Sequence, residues 1–160
     1  MGKDDFRFHT ILRVRWSECD VQGIVFNAAY QDYLEVAQVE YFRNLGIMLY
    51  DSSSRKLFDT ALVKITMEFV QPVSIDEVLE VYCRTDSIGN TSMVAKYELY
   101  RDGTDELVHR AEVVQVDYDA DSARARRFPD GLRTLIETYE SSGVVRPLAE
   151  FADLRGLMVS

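Results

Sequence analysis

Histidine and cysteine are scarce in this 160-residue chain, which has two of each. Cys19 and Cys83 are too few and too unpatterned for a disulfide framework or a thiolate metal site. They read as free thiols in packing roles. His9 and His109, both in strand-like contexts, argue against a metal centre built on several imidazoles and against a histidine-based triad. No metal and no cofactor are expected. Basic residues are outnumbered, 18 Lys and Arg against 27 Asp and Glu, for a formal net charge of -9. That balance disfavours nucleic acid, whose phosphates draw basic surfaces. A phosphate-bearing small molecule needs only a local basic cluster and stays open. No apolar run approaches the roughly 20 residues of a membrane helix. The opening MGKDDFRF lacks the apolar stretch of a signal peptide, and Phe6 stands where a myristoylation motif after Gly2 needs Ser or Thr. A cytoplasmic location is the expectation.

What is present is a 47% hydrophobic, 28% charged chain of ordinary globular composition. Its length suits one domain, with a core over about 6–128 and a C-terminal helix and tail over 129–160. Residues 6–16 alternate, with Phe6, Phe8, Leu12, Val14 and Trp16 on one face, so a half-buried strand is expected there. Four more strands follow at 61–70, 78–87, 91–101 and 105–118. In the last, Val108, Val114, Val116 and Tyr118 share one side, and Leu107, Ala111 and Val113 the other. Asp102-Gly103 and Ile88-Gly-Asn90 are turn signals, which makes the strands antiparallel neighbours. Pro129 opens a shorter amphipathic helix carrying Leu132, Leu135, Ile136 and Tyr139.

The chain is organised around Trp16 to Gly46. Its first half is an irregular acidic loop centred on Asp20. Its second half is a helix in which Tyr30, Tyr33, Leu34, Ala37, Tyr41 and Leu45 recur at three- and four-residue steps. Asn27 is the N-cap candidate and Gly46 the C-terminal stop. Val36, Val39 and Phe42 widen the apolar surface, so the helix should be covered on several sides. One antiparallel sheet and one such helix pack best when the sheet curls around the helix. The mixed strand faces suggest that the sheet's outer side is also partly covered, by another subunit. A carboxylate just ahead of a helix start can act as base or nucleophile, while the free N–H groups of the first turn hold developing negative charge. The competing reading of Asp20 is an Asx-turn residue that stabilises the loop.

The run Asp20-x-x-Gly23-Ile24-Val25-x-Asn27-x-x-Tyr30, followed by Leu34-Glu35-x-Ala37, resembles the hotdog-fold acyl-CoA thioesterases of the 4-hydroxybenzoyl-CoA thioesterase type. The match covers residues 13–46 by motif, and 61–118 by strand order and the Phe69-x-x-Pro72 junction. The resemblance implies an α+β hotdog fold that dimerises through sheet edges and often forms a homotetramer. It implies hydrolysis of an acyl-CoA or acyl-carrier-protein thioester. Asp20 would be the catalytic carboxylate and the Asn27 backbone N–H the carbonyl-polarising donor. Some relatives carry an aromatic residue or His at Asn27 and Pro-Ala at Val21-Gln22, so the acyl group is left open.

Gly23, Val25, Phe26, Tyr30 and Tyr33 are the candidate substrate contacts. Arg84, Lys96, Arg110, Arg124, Arg126 and Arg127 are candidates for coenzyme A phosphates; the competing reading of the last three is a solvated segment. Glu35 reads as a helix-edge residue or an arginine partner, and Cys19 has nothing nearby to activate it. Two other activities remain as alternatives: a hotdog enoyl-CoA hydratase or dehydratase, which would need an Asp–His pair, and a non-catalytic acyl-CoA or acyl-carrier binder.

Overall fold

Alternation at Phe8–Arg13 gives strand β1, and the helical period gives α1 at Ala29–Asn44. The computed structural model describes residues 1–157. A short helix α2 (Leu49–Ser54) follows α1, and then come β2 (Ala61–Phe69), β3 (Val78–Ile88), β4 (Ser92–Arg101) and β5 (Leu107–Val116). A small ribbon, β6 (Tyr118–Asp119) with β7 (Arg124–Ala125), leads to α3 (Asp130–Ser142). The five long strands form one sheet in the order β1-β3-β4-β5-β2, and every neighbouring pair is antiparallel. β1 and β2 are therefore its edges.

The sheet wraps α1. Tyr33, Leu34, Ala37, Tyr41 and Phe42 of the helix are buried against Leu79, Val81 and Cys83 of β3 and Met93, Tyr97 and Leu99 of β4. The helix ends as its sequence dictates. Gly46 adopts φ +88, the Gly46 N–H donates to the Arg43 carbonyl, and the Ile47 N–H reaches back to the Phe42 carbonyl. This paired closure satisfies carbonyls that the helix leaves open. At the other end the cap position is Ala28, without a side-chain capping bond, so Asn27 does not cap the helix with its side chain as expected.

Two further expectations need correction. β1 stops at Arg13, and Trp16 lies on a short 3₁₀ turn with 83% of its surface exposed. A register shift where Leu99 and Tyr100 of β4 meet His109 and Leu107 breaks the alternation at the start of β5. Beyond it the buried row is His109, Ala111, Val113 and Gln115, with Val108 buried as well. A bulge adds a residue to one strand, and the parity read from sequence fails there. Part of the outer face of the sheet is covered by the chain's own N-terminus. Phe6 packs edge-on against Tyr82, and Lys3 sits over the Tyr100 ring while bonding Glu80 at 2.5 Å.

The residues after α3 form two 3₁₀ turns, Leu148–Glu150 and Ala152–Leu157, which bury Phe151, Leu154 and Leu157. Asp153 accepts the Gly131 N–H at 2.9 Å, so the tail caps a helix whose own N-cap, Pro129, offers no side-chain acceptor.

Candidate active site

The loop before α1 is a miniature hairpin. Cys19 pairs with Val25, and the Asp20 N–H donates to the Ile24 carbonyl at 2.9 Å. Gly23 turns the chain at φ +76 and gives its N–H to the Asp20 carbonyl. The hairpin is tied sideways to residues 73–75, through Val25 N–H to Val73 carbonyl and Ile75 N–H to Gly23 carbonyl. This backbone scaffold holds Asp20 at an exposed tip. One carboxylate oxygen of Asp20 accepts the Gln22 N–H at 2.8 Å. That is the Asx-turn geometry, and it orients the side chain while leaving the other oxygen without a partner among the described residues.

Sequence reasoning missed Glu18, which anchors this hairpin to the helix. It is buried and accepts the Arg15 N–H at 2.8 Å, the Arg15 Nε at 2.5 Å and the Tyr33 hydroxyl at 2.6 Å. Burial pushes its carboxyl up, but those donors outweigh burial and hold it below the usual range. Burial and the Glu18 charge raise the Tyr33 hydroxyl in turn. Only proximity in the fold reveals this pair, because the two residues stand on different elements.

At the helix start, the Ala29 N–H is taken by the Phe26 carbonyl. Among the described residues, the N–H groups of Asn27 and Ala28 have no acceptor in the protein. They sit at the positive end of a 16-residue helix, where a ligand oxygen carrying partial negative charge is favoured. Asp20 and Asn27 thus occupy the tip and the exit of one hairpin.

The remaining candidates divide. Phe26 is exposed and Gly23 partly so, while Val25, Tyr30 and Tyr33 are buried in the core. Tyr30 stacks on His109 at 4.3 Å, and Phe69 meets the same imidazole edge-on at 5.0 Å. His109 is wholly buried with neither ring nitrogen bonded, and burial lowers it to about 4. His9 stacks on Tyr82. Cys19 is raised by burial and by the Glu18 and Asp20 charges, the opposite of an activated thiol.

The six basic candidates do not form one cluster. Lys96 pairs with Asp86 at 2.9 Å, and Arg84 lies 3.9 Å from the same carboxylate. Arg110 faces Glu68 at 3.5 Å, and Arg127 faces Asp130 at 2.7 Å. Arg126 is bidentate on the fully buried Asp117 and also bonds the Lys56 carbonyl, which commits it to holding that loop. The solvated-segment reading therefore does not describe Arg126. Arg124, on β7, is exposed and carries no ion pair among the described residues. Glu35 is likewise exposed, at the rim of a cavity of about 340 Å³ between α1 and the β2–β5 side of the sheet.

The model of the thioesterase-like superfamily matches residues 14–136. The chain belongs to the thioesterase-like superfamily. Its reaction class is thioester hydrolysis. Among relatives, the acyl-CoA thioester hydrolase YbgC of Escherichia coli is 26% identical over 129 residues, which is 78% of this chain and 92% of that protein. The 4-hydroxybenzoyl-CoA thioesterase of a Pseudomonas species is 28% identical over 119 residues, 71% of this chain and 84% of that one. The crystal structure of Slr0204, a 1,4-dihydroxy-2-naphthoyl-CoA thioesterase from Synechocystis, superposes with a TM-score of 0.74 at 16% identity, covering 88% of this chain and 98% of its own. The sheet wrapped on α1 is thus the hotdog fold of these thioesterases.

Proposed function

We propose that this superfamily member hydrolyses acyl-coenzyme A thioesters with Asp20 and the start of α1. The observation that carries the reading is the pair of unpartnered N–H groups at Asn27 and Ala28, set on the hairpin that presents Asp20. The thioester carbonyl oxygen is placed at these donors, which strengthen their hold as charge builds on it. Asp20 either takes a proton from the attacking water or attacks the carbonyl carbon itself. In the second route water hydrolyses the mixed anhydride. In both the coenzyme A thiolate leaves and is protonated, and no cofactor takes part. Arg124 is the basic residue left available for the carrier's phosphates.

The enzyme works as a homodimer built on β2, with pairs of dimers forming a tetramer. Edge strand β2 exposes Leu62, Val63 and Phe69, and α1 exposes Val36 and Val39, a surface that one chain leaves uncovered. The deciding experiment follows thiol release from a panel of acyl-CoAs by wild type and Asp20→Asn. Wild type should turn over, and the variant should lose about 10²–10⁴ in kcat. Full activity in the variant, or none in the wild type, defeats the assignment.

A further inference from the structure

We infer that the amides of Gln38 and Gln115 recognise a neutral hydrogen-bonding group, a hydroxyl or a carbonyl, at the distal end of the acyl chain. This rests on the acyl-CoA hydrolase reading above and specifies the substrate class. The cavity beside α1 has apolar walls, including Leu34, Leu62, Ile65 and Val113. Gln31, Glu35 and Thr60 add polar groups to that lining, and two further carboxamides in it are buried, with Gln38 8% and Gln115 6% exposed. They bond each other reciprocally: Gln38 Nε2 donates to Gln115 Oε1, and Gln115 Nε2 donates back to Gln38 Oε1 at 3.1 Å. Gln115 spends its second N–H on the Thr60 carbonyl at 3.3 Å. The reciprocal bonds fix both amide planes. Among the described residues they leave one N–H of Gln38, and a lone pair on each amide oxygen, without a protein partner.

A buried amide donor left unpaired is costly. A cavity shaped for a plain alkyl chain has no reason to carry one, whereas a cavity shaped for a polar terminus uses it. The placement suits a terminus. Gln38 lies nine residues beyond Ala29, about 13 Å along the helix axis, and helical side chains lean back toward the N-terminus. An acyl chain whose thioester is held at the helix start would span that distance to reach the amides. Glu35 at the rim sets a carboxylate beside the cavity, which repels an anionic acyl terminus.

The test compares kcat/KM for saturated, ω-hydroxy and ω-carboxy acyl-CoAs of about six to twelve carbons. Wild type should favour the ω-hydroxy compound over its saturated partner by roughly tenfold or more at the best length, since a site built to bond a hydroxyl rejects the analogue lacking it. The ω-carboxy compound should be the poorest of the three. In Gln38→Met/Gln115→Met, which keeps the side-chain length and removes both amides, the ratio should collapse to about one, with the melting temperature confirming that the variant folds. Gln38→Met alone should lower the ratio too, and it stands in if the double variant does not fold. Hydrolysis of the whole series without discrimination, a preference for the ω-carboxy compound, or a ratio unchanged in the variants overturns this inference and leaves the hydrolase reading standing. Absence of thiol release from every compound removes the hydrolase reading and this inference together.

Discussion

His109 is the residue whose chemistry is most altered by the fold. Enclosed by Tyr30 and Phe69, it stays neutral down to about pH 4, against 6.5 in an open chain. Between those values the unfolded chain takes up a proton that the folded one refuses. Stability is therefore lost as pH falls from 6.5 towards 4, by about 3 kcal/mol in all. His109→Leu should abolish that part of the loss, so the difference in unfolding free energy between variant and wild type should widen steadily over this range. Chemical denaturation at pH 7, 5.5 and 4 measures it. A constant difference would mean that the imidazole takes its proton in the fold. The Tyr33 hydroxyl is the second such group. Tyr33→Phe removes a bond to an ionised carboxylate, worth about 1.5–3 kcal/mol, and frees Glu18 from one of the donors that hold its carboxyl down. Neither His109 nor Glu18 stood out in the sequence. Glu18 looked like one more acid in an acidic loop, and His109 like one position in an alternating strand, because their partners come from elements distant along the chain.

At the scale of elements, the Asp20 hairpin depends on Gly23. An added Cβ there meets nothing within 4 Å, so the cost of Gly23→Ala is backbone strain alone, about 1–2 kcal/mol at φ +76. Because the same turn aims the Asp20 carboxylate, kcat should fall by more than the stability change accounts for. Parallel measurement of melting temperature and thiol release separates the two effects, and a loss of stability with unchanged kcat would detach the turn from the chemistry. Turn, helix and hairpin signals such as Gly23, Gly46 and Asp102-Gly103 were legible in the sequence, because each is a local requirement for a particular φ. The capping of α3 by Asp153 was not, since an acceptor supplied from 22 residues away leaves no local pattern.

At the scale of the whole molecule, β2 is the open question that the chain poses to a second copy of itself. Among the described residues it pairs as a strand only with β5, and Val63, at a bulge near its start, is 60% exposed. Antiparallel pairing of two β2 strands would join the sheets and bury the apolar residues of this edge together with those of α1. Leu62→Lys/Val63→Lys sets like charges across that seam and should yield a monomer by light scattering at concentrations where wild type is dimeric or tetrameric. A monomeric wild type would defeat the proposed assembly.

The sequence by itself determined the element order, the antiparallel sheet around one apolar helix, and the stretch from Asp20 to Asn27 as the place to look. Those follow from periodicity, turn residues and motif spacing, all of which act over a few residues. The tertiary structure alone decided what each side chain faces. A bulge at the start of β5 buried Val108 together with the row His109, Ala111, Val113 and Gln115. The N-terminus covered part of the sheet's outer face, with Phe6 on Tyr82 and Lys3 on Tyr100. Arg126, one of a basic run, became the partner of buried Asp117. In each case the deciding contact joins different parts of the fold, and no pattern within one element reveals it.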